Sequence, residues 1–248
     1  MKITNFLIMK KLLLFTFISI LPFLTACKKK STFEYYLEKA EAGDPIAQDS
    51  ISMFYYLGEH GVKKDYEKAF EWASKSAEQD DVYGQFRLGV AYNWGDGVER
   101  DFAEAVYWYQ KAAEQGLADA QNNLATCYLN GEGVEQNFEE AVVWFKKAAE
   151  QGHEFAQYNL GFCYENGNGV EQDSAKAYIW YRKSAEQGCA PGQYMLGQCY
   201  GKGIGVPVNI QEAKKWYQKA ADQKIEDAMA ALSQLEESEE SEPDKQAQ

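Results

Sequence analysis

Two histidines, five cysteines and 38 acidic residues are the groups in this 248-residue chain whose chemistry suits catalysis or metal binding. His60 and His153 stand in separate loops with no neighbouring ligand set, which gives neither a zinc site nor a Ser-His pair. No serine opens a Ser-x-x-Lys pattern, and no Gly-x-Ser-x-Gly elbow is present. A Gly-x-Gly-Val pattern recurs four times, at Gly95, Gly131, Gly167 and Gly203, too regularly for a phosphate loop. Asp65, Asp101, Asn137, Asp173 and Asn209 recur every 36 residues. Short side-chain oxygens at such a period fit helix N-caps, where they accept orphan backbone N–H groups, better than they fit acid–base catalysis. The expectation is a protein that is not an enzyme, with no metal and no cofactor.

The elements behind this regularity form a tandem repeat. Trp72, Trp108, Trp144, Trp180 and Trp216 are 36 residues apart, and the same period carries Ala69, Ala105, Ala141, Ala177 and Ala213. Five units run from about Ala40 to Ala220, the first with one extra residue in a glycine loop near His60. In the unit beginning near Ala149, Ala156, Leu160, Cys163 and Tyr164 have helical spacing and predict one amphipathic helix, ended by Gly167-Asn168-Gly169. A second helix starts after each cap. It carries Ala141, Trp144, Phe145 and Ala148 on one stripe, with tryptophan filling the gap between helices. Glu104, Glu140 and Glu212 stand three residues after a cap, where they complete a capping box. One helical pair cannot bury such a stripe, whereas stacked pairs make a continuous core.

The unit at Ala156–Tyr181 reads Ala-Gln-Tyr-Asn-Leu-Gly, then Tyr, then Gly-x-Gly-Val, then Lys-Ala-x-x-Trp-Tyr. It resembles the Sel1-like repeats, relatives of the tetratricopeptide repeats, over about Ala40 to Leu235. The resemblance implies an all-α, right-handed solenoid of five 36-residue helix-turn-helix units between terminal half-repeat helices. It also implies a partner-binding scaffold; exported bacterial members act in envelope assembly, host interaction or neutralisation of toxic effectors. Some exported members are cysteine-rich, with Cys-x7-Cys disulfides, and are linked to β-lactam hydrolysis. A cell-wall or β-lactam hydrolase is therefore the alternative function, but this chain lacks that spacing. Cys127, Cys163 and Cys199 share one repeat position, and equivalent points on stacked units lie ~8–10 Å apart, beyond the roughly 7 Å Cα limit of a disulfide. Cys189 and Cys199 fall on one predicted helix, too far apart to bond. Four free, mostly buried thiols are expected.

At the N-terminus, Lys2, Lys10 and Lys11 precede an apolar run from Leu12 to about Leu24, too short for a usual membrane span, which needs about 20 apolar residues. The run ends Leu24-Thr25-Ala26-Cys27, which resembles a bacterial lipobox. The resemblance implies a lipoprotein: residues 1–26 a signal peptide starting at Met1 or Met9, Cys27 lipidated, and 27–31 a tether. The solenoid is assigned to 32–235, and 236–248 to an acidic disordered tail. Lys28 after the cysteine, rather than Asp, implies the periplasmic side of the outer membrane in a cell with two membranes. The chain carries a net charge of −13; without residues 1–26 it has 25 − 3 = 22 cations against 38 anions, or −16. That sign excludes nucleic acid and favours a basic partner.

In related solenoids the first helix of each unit lines the concave face. The candidate contacts for a protein or peptide of the envelope are accordingly Asp49, Met53, Tyr56, Phe86, Val90, Asn93, Trp94, Asn122, Thr126, Leu129, Tyr158, Phe162, Glu165, Tyr194 and Gln198. Trp94 alone among the tryptophans is out of register and either anchors a ligand or packs on the adjacent loop; Tyr158 and Tyr194 match a tyrosine typical of the family.

Overall fold

The computed structural model of the chain describes residues 30–240. The signal, the lipobox with Cys27 and the last eight residues lie outside them. Among the described residues the regular elements are twelve helices: α1 (Thr32–Glu41), α2 (Pro45–Leu57), α3 (Tyr66–Ala77), α4 (Val82–Trp94), α5 (Phe102–Glu114), α6 (Ala118–Asn130), α7 (Phe138–Glu150), α8 (Glu154–Asn166), α9 (Ser174–Glu186), α10 (Ala190–Lys202), α11 (Ile210–Asp222) and α12 (Glu226–Glu240). Five hairpins, α2/α3 to α10/α11, stack in chain order between α1 and α12, each helix packing chiefly on its sequence neighbours. This is an α-solenoid. Neighbouring first helices also touch, α2 against α4 and α8 against α10, more than neighbouring second helices do.

The five expected N-caps form, each side chain accepting a backbone N–H at the start of its second helix. The capping boxes do not close. The N–H groups of Glu104, Glu140 and Glu212 donate to their caps at 3.1, 3.0 and 3.1 Å. The caps' own N–H groups, however, donate to the carbonyls of Tyr92, Tyr128 and Tyr200 at 3.0, 2.9 and 2.8 Å, so they are not left for the glutamate side chains. The second glycine of Gly-x-Gly-Val is needed twice over. Gly133 has φ +71°, and a Cβ there would lie 2.1 Å from the Phe102 carbonyl oxygen of the previous hairpin.

Two further features build the core. Gln48, Gln85, Gln121, Gln157 and Gln193 are buried in the first helices. Each accepts an amide N–H from Gln79, Gln115, Gln151, Gln187 or Gln223 of its own hairpin at 2.7–2.9 Å. In four of them the amide also donates to a carbonyl of the preceding helix. The ladder satisfies buried helix ends and ties hairpin to hairpin. The second feature corrects the assignment of the tryptophans. Trp72, Trp108, Trp144 and Trp180 are only half-buried. The side chain that fills the core is the next residue, Tyr109, Phe145, Tyr181 or Tyr217, at most 4% exposed. Lys75, Lys147 and Lys183 Nζ lie 3.6–4.1 Å from the ring centroids of the half-buried Trp72, Trp144 and Trp180, whereas Trp216, under Lys219, is buried against Ala185 and Leu196 as the sequence led one to expect.

Two boundaries move. α12 continues through Glu240, so the acidic run placed in a disordered tail from Glu236 begins as helix; glutamate is a good helix former and extends a helix already anchored by Ala228, Leu232 and Leu235. Cys189 caps α10 instead of lying within it. Cys127, Cys163, Cys189 and Cys199 are free and buried.

Candidate functional site

The fifteen candidate residues fall in three columns along the first helices. Asp49, Phe86, Asn122, Tyr158 and Tyr194 form one, Met53, Val90, Thr126, Phe162 and Gln198 the next, and Tyr56, Asn93, Leu129 and Glu165 the third, with Trp94 one residue beyond. All fifteen keep some solvent exposure, while Ile51, Leu88, Leu124, Leu160 and Leu196 on the same helices are buried at 0–3%. Trp94 is 71% exposed, so its ring is not packed away on the neighbouring loop. With Asn93, Thr126 and Glu132 it borders a shallow depression.

Several candidates hold the face together instead of standing free. Asp49 is ion-paired with Arg87 of the next hairpin, and burial nevertheless keeps its carboxyl above the usual carboxylate range. Tyr56 donates to Asp96 Oδ2 at 3.2 Å, Asn159 to Asn122 Oδ1 at 3.1 Å, and Tyr181 to Glu165 Oε2 at 2.6 Å. Burial and the Glu165 carboxylate both raise the Tyr181 pKa. Tyr158 and Tyr194 lean on Tyr181 and Tyr217, with centroids 6.0 and 5.8 Å apart. Gln198 donates to the Tyr194 hydroxyl at 2.6 Å, and its Oε1 is buried without a partner. The apolar contact surface is left to Met53, Val90, Leu129, Phe162 and Trp94.

Neither histidine meets a ligand set. His153 caps α8, its Nδ1 accepting the Ala156 N–H at 3.1 Å while Nε2 faces Asp119 at 3.4 Å. His60 lies tilted against Phe54, with ring centroids 4.2 Å apart. Among the described residues no group of three His, Cys, Asp or Glu is placed to hold a metal ion. No helix among them is long and apolar enough to cross a membrane.

Sequence reasoning missed a cavity of about 110 Å³ between the first two hairpins. Its signal was legible as a break in a column: Ala73 stands where Tyr109, Phe145, Tyr181 and Tyr217 stand in the other units. It also missed an outward row on the second helices, Tyr107, Val143 and Ile179, each 43–49% exposed.

A Sel1 repeat profile matches residues 45–81, 82–117, 118–153, 155–189 and 190–224, one hairpin each. The chain belongs to the Sel1 repeat family. A Sel1 repeat protein from Oxalobacter formigenes is 34% identical, with a TM-score of 0.73 over 83% of this chain and 88% of that one. The protective antigen c5321 of uropathogenic Escherichia coli, described as displaying an SLR fold, is 36% identical with a TM-score of 0.73. That match covers 82% of this Sel1 protein but 43% of the antigen, so the chain spans less than half of that relative's length. The immunity protein Pa5087 of Pseudomonas aeruginosa is 25% identical, with a TM-score of 0.51 over 77% of this chain and 72% of that one. The search of curated proteins found no match.

Proposed function

We propose that this Sel1 repeat protein is a non-catalytic interaction module that binds a protein partner along its first-helix face. In this reading Cys27 is lipidated and anchors the mature chain in the bacterial envelope, on the periplasmic side of the outer membrane where two membranes exist. A multiply acylated cysteine is a stable anchor, since each buried methylene contributes about 0.8 kcal/mol. The observation that carries the proposal is the set of exposed or partly exposed apolar and aromatic side chains on one face of the first helices, Met53, Val90, Trp94, Leu129 and Phe162, above buried leucines. Aromatic anchors within such a set are the usual source of interface energy. The acidity of the chain favours a basic partner and speeds its approach. The solved structure of an immunity protein with this fold supports a more specific version, capture of a toxic effector at the membrane.

The test is a cross-linked pull-down from envelope extract with a soluble Cys27→Ser protein lacking residues 1–26, beside the same bait carrying Trp94→Ala and Phe162→Ala. The expected result is a basic protein captured by the first bait and lost with the second, at equal helical content. Equal capture by both baits overturns the assignment of the face. An immunity role adds that cells lacking the protein are harmed only when the captured effector is present.

A further inference from the structure

In the later hairpins an aromatic side chain from the second helix closes the core beneath the first-helix face. Tyr109, Phe145, Tyr181 and Tyr217 are all buried there, and added Cβ atoms at Gly89, Gly161 and Gly197 would fall 2.5–2.7 Å from the tyrosine rings. The first hairpin lacks this ring. Ala73 takes its place, and Asp49 replaces the Phe86, Tyr158 or Tyr194 that leans on it. The space left is the cavity of about 110 Å³, of the same order as the ~150 Å³ engineered cavity that takes benzene.

The cavity's shape and polarity describe its ligand. Buried Ser52, Ala69 and Ala73 form the floor, and partly exposed Tyr56, Phe86 and Arg87 form the rim toward the first-helix face. Arg87 occupies the repeat position of Asn123, which lines the same depression as Tyr109 in the next unit. Asp96 also lines the space and already accepts from Tyr56. An apolar slot with a guanidinium and a carboxylate at its edge suits a ring carrying one hydroxyl, which both accepts and donates.

We propose that this cavity is a binding site for a phenolic ring presented on a polypeptide, a tyrosine side chain of the partner, seated where the first hairpin lacks its own aromatic residue. The polypeptide source rests on the first-helix reading of function; the ring site does not, and small probes on the isolated protein separate the two. The probes are p-cresol, N-acetyltyrosinamide and N-acetylphenylalaninamide, titrated against the full chain by saturation-transfer NMR. Both phenols are expected to bind, the phenylalanine analogue more weakly. Ser52→Gly with Ala73→Tyr, which supplies the missing ring and the glycine it packs on in the second, fourth and fifth hairpins, weakens both phenols roughly tenfold or more while leaving the melting temperature equal or higher. If that variant fails to fold, Ala73→Phe, matching the Phe145 that packs with Ala125 in the third hairpin, serves as the filled variant. Binding of p-cresol without N-acetyltyrosinamide overturns the polypeptide source. No phenol binding, or binding unchanged in the filled variant, overturns the site.

Discussion

Replacing one glycine in each of two loops tests the hairpin-to-hairpin register. Gly133 and Gly61 both have positive φ, +71° and +90°. Alanine in a left-handed conformation costs ~1–2 kcal/mol at either site. The environments differ. Around Gly61 an added Cβ meets nothing within 4 Å, whereas at Gly133 it would lie 2.1 Å from the Phe102 carbonyl oxygen and 2.8 Å from the Ala103 nitrogen. These are backbone atoms at the start of α5 and cannot rotate away, so the hairpins must part, at an overpacking cost of ~1–3 kcal/mol more. Gly61→Ala should therefore destabilise by about 1–2 kcal/mol and Gly133→Ala by roughly 2–5 kcal/mol. Urea unfolding followed by far-ultraviolet circular dichroism measures both, with the midpoint as readout because a repeat array need not unfold in one step. Equal midpoints for the two variants would refute the close approach that sets the stacking of hairpins.

Other expectations follow from the same packing. Gln121→Ala should cost about 1–3 kcal/mol, because a buried amide loses two hydrogen bonds, one accepted from Gln151 and one donated to the Ala113 carbonyl, while Gln110→Ala on an exposed face should be near neutral by the same unfolding assay. Burial pushes the Cys163 thiol up to about 11 and those of Cys127 and Cys199 up to about 12. An unfolded thiol ionises near pH 8.5, so these groups stabilise the fold fully below that pH. Their contribution is lost as pH rises through 11–12, and melting temperatures should fall from pH 8 to pH 10.5. The same thiols should react with Ellman's reagent at pH 8 only as fast as the protein unfolds, which stopped assays with and without urea distinguish. Trp94→Ala should leave the melting temperature unchanged, since the ring is 71% exposed, yet weaken partner capture.

The period, the helix pairs and the caps were legible in the sequence because each depends on local chemistry: a short oxygen before a helix, a glycine after one, apolar residues at helical spacing. The fifteen candidate positions were legible for the same reason, since a helical face follows from spacing alone. What escaped depends on contacts between units. Gln48 and Gln79 recur with the period as plainly as the tryptophans do, but their pairing needs the hairpin closed. Tryptophan is the larger residue, which made it the expected core filler; Trp216 does fill it, but Trp108 and Trp144 stay half-buried while their neighbours Tyr109 and Phe145 take the core. The capping boxes failed on a competition invisible in one segment, with Tyr92 and Tyr128 in the first helices taking the N–H that the glutamates needed. The cavity at Ala73 was a gap in a column of aromatic residues, informative only once that column was known to be core.

The central claim, that the partner sits on the first helices, is most directly tested by photo-cross-linking in cells, with p-benzoylphenylalanine replacing Phe162 on α8 or Ile179 on α9. Both side chains are exposed, at 36% and 43%, and lie on opposite members of one hairpin. The account predicts a discrete cross-linked species from position 162 and none from position 179. The same species from 179 alone would contradict it and move the interface to the outer row of Tyr107, Val143 and Ile179.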